Sequence, residues 1–220
     1  MIRSSTVSNE PGPHVPDRTI LIQRAFRLEW LTVAWMAIEA LVAIGSGVIA
    51  GSLTLTAFGL DSVIELISAG VLIWRLRDEL RRGEEFSHQT ERIASRIGGA
   101  LLFVLAAYIV LGAAWSLWAH HGGEFSVPGL IVAAAAMPIM YALARRKLDV
   151  AGQLGSRAMR AEAVESITCG WLSLVVVVGL VANLVFAAWW IDAATSLGIV
   201  WFVVTEAREA WKGDDCCTHE

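Results

Sequence analysis

The chain has 220 residues, of which 56% are hydrophobic and 10 are Trp. Its formal net charge is -4. This composition argues against an ordinary soluble domain. The net charge says little, because the distribution of the charges matters more than their sum, and we expect no nucleic-acid partner. We therefore expect an all-α, polytopic membrane protein that lies in a lipid bilayer.

Residues 1–20 contain three prolines and several small polar residues, a composition that predicts a disordered arm. They include no apolar core of a cleavable signal peptide, so the first span, predicted at residues 29–50, is expected to direct insertion. Glycines at the far end of this span, Gly45, Gly47 and Gly51, favour a close approach of the second span and a tight hairpin between the two.

The second span is predicted at residues 53–74, and 22 residues of helix extend roughly 33 Å, about the thickness of the hydrocarbon core. Asp61 and Glu65 lie within it at positions i and i+4, so both project from one face about 6 Å apart. At an effective dielectric constant of ~20, their mutual repulsion when ionised is about 2.8 kcal/mol. We expect at least one of them to hold a proton until a divalent cation displaces it. The alternative is that both acids only form hydrogen bonds with Ser or Thr on neighbouring helices.

Six arginines lie between residues 75 and 96, and a second basic stretch begins at residue 145. All 17 Lys and Arg fall on alternate connections or at the helix ends beside them, which predicts that both termini lie in the cytoplasm. We divide the chain into a disordered arm (1–20), a six-helix domain (21–211) and a short cytoplasmic tail (212–220). The remaining spans are predicted at residues 97–118, 127–144 (interrupted by Pro138), 161–188 and 189–205.

The fifth span begins with RAEAVESITC at residues 160–169. Glu162, Glu165 and Cys169 lie at i, i+3 and i+7 and share one helical face. Glu165 and Cys169 also repeat the i, i+4 spacing of Asp61 and Glu65. If the two helices face each other, these four side chains form a four-coordinate metal site.

GSLTLTAFGLDSVIE at residues 51–65, RAEAVESITC, and WWIDAATSLGIVWF at residues 189–202 resemble motifs of the cation diffusion facilitator family. The resemblance implies a six-helix antiporter that exports divalent metals in exchange for protons, with Asp61, Glu65, Glu165 and Cys169 as ligands. It also implies a homodimer. The sequence departs from the family pattern: neither ligand pair contains His, Cys169 replaces the usual Asp, Ala193 replaces a Pro, and we expect the family's cytoplasmic metal-binding domain to be absent.

Three carboxylates suit Mn(II) or Fe(II), whereas one thiolate favours Zn(II), Co(II) or Cd(II) in a small tetrahedral site. We favour zinc as the transported ion and expect no prosthetic group. Cys169 has an alternative role as a small packed hydrophobe. In the tail, Cys216, Cys217 and His219 either capture metal on the cytoplasmic side or are incidental.

Four other polar residues lie within or beside the spans, and three of them have two possible roles. Glu162 is either a gate or an acid favoured by the helix dipole. Glu39 and Asn183 either form hydrogen bonds with the ligands or join neighbouring helices. Asp192 is expected to cap the sixth helix.

Other functional classes are poorly supported by the sequence. No Walker-type phosphate-binding motif and no pairing of nucleophile and base is present, so we expect no enzyme. All five histidines lie outside the predicted spans, which argues against haem. The main hypothesis is a secondary transporter of a bacterial inner membrane. The alternative is a membrane sensor or accessory subunit that binds metal without transporting it.

Overall fold

The computed structural model describes residues 18–82 and 88–212, and these ranges contain six α-helices and no β-strand. The all-α prediction is therefore confirmed for this part of the chain. Most of the predicted arm and the tail cysteines lie outside the described residues. The helices are α1 (Arg18–Ala50), α2 (Leu53–Arg82), α3 (His88–Ala119), α4 (Val127–Leu154), α5 (Arg157–Phe186) and α6 (Trp190–Lys212).

Each of the six helices contains a stretch of 20 to 31 residues that is long and apolar enough to cross a membrane. This confirms the predicted number of spans. Much of the outward-facing surface is apolar, as expected of a chain whose helices contact lipid. The exposed side chains include Trp30, Trp74, Trp115, Trp118, Trp171, Trp201 and Trp211.

Most helices are longer than the sequence predicted. α1 begins at Arg18, three residues inside the predicted arm, and α2 continues to Arg82 through the first eight residues of the predicted charged loop. α4 is unbroken at Pro138 and ends at Leu154. Hydropathy identifies only the part of a helix that lies in lipid, whereas Arg, Glu and Leu are good helix formers that continue the backbone hydrogen bonding beyond it.

α2 lies at the centre of the bundle, where it packs against α1, α3, α5 and α6. Three further pairs, α4 with α5, α3 with α6 and α5 with α6, complete the arrangement, and α1 also packs against α4. None of residues 28–74, 97–144 and 161–207 is Lys or Arg. The bundle therefore has a basic end, where α1, α3 and α5 begin, and a neutral end, where α2, α4 and α6 begin.

The connection between α1 and α2 consists of Gly51 and Ser52, as predicted. Gly51 has a φ of 60°, a left-handed conformation that costs a glycine little. The two helices approach closely at Gly47, where an added Cβ would lie 2.7 Å from the backbone nitrogen of Thr56. Gly45 has open space around it, so only part of the predicted glycine contact is present. The tight turn fixes where α2, and with it Asp61 and Glu65, enters the bundle.

Candidate metal site

Asp61 and Glu65 of α2 both point into the bundle and are only 2% and 4% exposed. Among the described residues, no group donates a hydrogen bond to Asp61 Oδ1 or to either carboxylate oxygen of Glu65. Buried polar atoms in folded proteins are almost always hydrogen-bonded, so three acceptors without a donor are unusual. The alternative in which these acids serve only as partners for Ser or Thr is not supported at these three atoms.

Glu39 of α1 lies beside this pair and joins three helices. Its carboxylate accepts hydrogen bonds from Trp35 Nε1 at 2.8 Å and from Ser62 Oγ, on α2, at 2.6 Å. Cys169 Sγ of α5 donates to Glu39 Oε1 over 3.8 Å. Glu39 therefore contacts Ser62, which is next to Asp61, and Cys169, which is a predicted ligand. It combines its two predicted roles, because it bonds to a candidate ligand and also joins helices.

α5 presents its predicted ligands towards α2. Cys169 is fully buried, and its thiol lies in the electrostatic field of Glu65, Glu39 and Asp61. Glu165, one turn nearer the basic end, is partly buried, and its Oε2 lies 3.4 Å from Ser68 Oγ of α2. The two helices that carry the predicted ligand pairs thus face each other.

A further acid belongs to this region although the sequence did not identify it as part of a site. Glu206 of α6 interacts electrostatically with Glu65 and Asp61, and it also acts on Glu165. The signal was weak, because Glu206 lies near the predicted end of the sixth span, where acids usually face water. The centre of the bundle therefore collects acids from α1, α2, α5 and α6, and the charge of Lys147 of α4 acts on Glu165 from the basic end.

Within residues 18–82 and 88–212, no three Asp, Glu, His or Cys side chains come together closely enough to hold a metal ion in this conformation. Asp61, Glu65, Glu165 and Cys169 share one region of the bundle, and their joint role as ligands stays a prediction.

A second polar cluster lies nearer the basic end. Lys147 Nζ is 3.1 Å from Glu29 Oε2 of α1 and 3.1 Å from Glu162 Oε2 of α5. Lys147 was predicted in a basic loop, but it is fully buried inside α4 because that helix continues to Leu154. Lys147 follows Met140 and Leu143 at helical spacing on the buried face of α4. This spacing would have indicated that Lys147 is buried within the helix. Glu162 is thus one partner of a buried ion pair.

At the neutral end of the bundle, Asp192 joins α6 to α2. The prediction that Asp192 caps the sixth helix was wrong. Asp192 lies in the first turn of α6, but its carboxylate caps α2: it accepts hydrogen bonds from Ser52 Oγ at 2.6 Å and from the backbone nitrogen of Leu53 at 2.8 Å. Two helices meet at this point, and sequence spacing cannot show which N-terminus receives the side chain. Asn183 Nδ2 donates to the carbonyl of Gly123, so it joins α5 to the α3–α4 connection.

Six spans with buried acids among them are typical of polytopic membrane proteins that bind or transport cations. The family model for the cation efflux transmembrane domain matches residues 30–212, and the chain belongs to the cation efflux family. This confirms the resemblance found in the sequence. Members of this family transport divalent metal cations and are not enzymes.

A curated relative supports this assignment. The chain is similar to "Uncharacterized transporter sll1263" of Synechocystis sp., with 29% identity over 160 residues that cover 71% of this chain. The matched region covers 52% of the relative, so the chain spans about half the length of that protein.

Proposed function

We propose that this protein exports a divalent metal cation in exchange for protons, and that Asp61, Glu65, Glu165 and Cys169 bind the ion. The observation that carries the proposal is the buried α2 pair, in which three carboxylate oxygens accept no hydrogen bond from the described residues. Oxygens in this condition can accept a metal ion or be neutralised by protons.

The energetics of the acids explain why metal and protons would exclude each other. An ionised acid in the middle of a span costs about 2.5–3.5 kcal/mol on insertion scales. Glu65 also lies in the field of Asp61, Glu165 and Glu206. Either bound protons or a divalent cation removes this cost. An ion that enters the site therefore displaces protons, and returning protons release the ion.

Transport further requires that the site open to one side at a time. The two predicted ligand pairs lie on α2 and α5, so a movement of one helix relative to the other changes the distance between the pairs. Hydrogen bonds from Ser62 and Cys169 to Glu39 link both helices to α1. In the conformation described, the ligands do not converge. We infer that they do so in the metal-bound state.

The cargo we propose is Zn(II). A site with three carboxylates and one thiolate also suits Co(II), Cd(II), Fe(II) or Mn(II), and the thiolate moves the preference towards the softer ions. This inference depends on Cys169 being a ligand in addition to a donor to Glu39.

We propose that both termini lie in the cytoplasm of a bacterial cell and that the protein resides in its inner membrane. The absence of Lys and Arg from the neutral end supports the orientation. We further propose a homodimer in the bilayer. Its contact would be made by the outward-facing surface of the spans.

Metal uptake into proteoliposomes tests the proposal. Parent protein and the variants Asp61→Ala and Glu165→Ala are reconstituted with an internal metal dye or pH dye, and Zn, Co, Fe, Mn and Cd are offered in turn. Asp149→Asn is a matched control, since it removes an exposed acid at the basic end. We expect metal-dependent proton movement in the parent and control, and its loss in both site variants.

Two outcomes would contradict the proposal. Binding of metal without flux in the parent would support the alternative, a sensor or accessory subunit. Flux that survives both substitutions would show that the ion follows another route.

A further inference from the structure

The buried cluster of Glu29, Lys147 and Glu162 has more acid than its single base can neutralise. Lys147 Nζ contacts one oxygen of each carboxylate, both at 3.1 Å. At formal charges the cluster carries one excess negative charge. The second oxygens, Glu29 Oε1 and Glu162 Oε1, are buried and have no hydrogen-bond partner among the described residues.

The cluster is closed off from the basic end of the bundle by apolar side chains. Beyond it lies a small apolar cluster that is separate from the main core. Its buried members come from α1, α2, α4 and α5, and they are Ile22, Ala25, Leu72, Val150, Ala151 and Met159. Glu29 and Glu162 are themselves only 0% and 7% exposed. An ion pair with a purely structural role would need only one buried acid for the single lysine.

The cluster also lies next to the candidate metal site. Glu162 precedes Glu165 by three residues on the same face of α5, which separates them by about 4.5 Å along the helix axis. Glu165 interacts electrostatically with both Glu162 and Lys147. Along α5, Glu162 therefore lies between Glu165 and the basic end of the bundle.

We propose that Glu29 and Glu162 form a second cation-binding site, on the path to the first, which the ammonium group of Lys147 fills in the conformation described. The ammonium acts as a tethered substitute for the cargo, and a divalent metal cation passes by exchanging with it. The inference rests on the proposed function for the identity of the cargo. It assigns Lys147 the role of an internal competitor that keeps the ion from remaining bound here.

Zinc binding tests this inference apart from transport. The variants are made in an Asp61→Ala, Glu165→Ala background, which removes the first site and should be tolerated because it also removes buried acids. Binding of Zn²⁺ to the detergent-solubilised protein is measured by equilibrium dialysis. We expect Lys147→Gln to bind one additional zinc ion per chain relative to the background, and the pair Lys147→Gln, Glu29→Gln to lose it. Arg146→Gln, which removes the neighbouring exposed cation, should gain none.

The outcomes separate the two proposals. A folded Lys147→Gln chain, monodisperse on size exclusion, that gains no zinc overturns the second site even if the parent transports metal. A gain of zinc with no flux in the parent supports the second site while the proposed function fails.

If Lys147→Gln does not fold, the second site is tested with Lys147→Arg in the otherwise unchanged chain. Arg is always charged and binds two carboxylates through a rigid fork, so it should hold the site more firmly than Lys. We expect zinc flux to fall at least roughly tenfold, with binding at the first site retained. Unchanged flux in this variant would overturn the inference.

Discussion

At the scale of single residues, Glu39 and Cys169 show how the candidate site is organised. Glu39 accepts from Trp35 and Ser62 as well as from Cys169, so its carboxylate has donors on three helices. Asp61 and Glu65 beside it have acceptor atoms without donors. One acid is therefore held in place by hydrogen bonds, while the other two retain oxygens that can bind an ion.

The role of Cys169 can be decided by metal preference. Replacement with Asp should lower the flux of Cd²⁺ relative to Mn²⁺ by roughly tenfold, about 1.4 kcal/mol of differential binding, because a soft thiolate ligand becomes a hard carboxylate. The measurement is the ratio of the two initial rates in proteoliposomes. An unchanged ratio in an active Cys169→Asp variant, matched by an unchanged ratio in Cys169→Ala, would make Cys169 a packing residue only.

At the scale of helices, contacts between helix ends determine how the spans are joined. Asp192 of α6 caps the N-terminus of α2, and Thr54 Oγ1 donates in return to the carbonyl of Asp192. These bonds fix the neutral end of α2, the helix that carries Asp61 and Glu65.

Removal of this cap should destabilise the bundle. Asp192→Ala leaves the backbone N–H of Leu53 without its acceptor, and we expect a loss of about 0.5–2 kcal/mol, the usual range for a cap replaced by alanine. Asp192→Asn keeps an acceptor oxygen and should cost less. Thermal unfolding of the two variants in the same detergent measures the difference. Equal stability of Asp192→Ala and the parent would show that the cap contributes nothing.

The sequence predicted the helices well and their ends poorly. Apolar runs of spanning length identify the part of each helix in lipid, but they contain no information on helical residues beyond it, such as those of α4 after residue 144. Lys147 was misplaced for this reason. The i, i+4 spacing correctly placed Asp61 and Glu65 on one buried face. The contacts of Glu39, Glu206 and Asp192 join residues distant in the chain, and spacing alone could not predict them.

At the scale of the whole molecule, the distribution of Lys and Arg supports the proposed orientation, with both termini in the cytoplasm. Cysteine labelling tests it. In a Cys216→Ser, Cys217→Ser background, His121→Cys in the α3–α4 connection should react with an impermeant maleimide in intact cells. Arg146→Cys at the basic end should react only after permeabilisation. Cys169 is buried and should stay unlabelled. Labelling of Arg146→Cys in intact cells would show that the basic end faces outwards, opposite to the proposed orientation.

The protons released when zinc binds distinguish exchange of metal for protons from metal binding alone. Purified protein in weakly buffered detergent solution is titrated with Zn²⁺ while a pH dye records the release, and bound zinc is measured in parallel. We predict at least one proton per zinc ion for the parent and for Asp149→Asn. With Cys216→Ser and Cys217→Ser in every chain to remove the tail thiols, the pair Asp61→Asn, Glu65→Gln should lose both zinc and protons. Zinc that binds to the parent without releasing a proton would contradict the exchange mechanism.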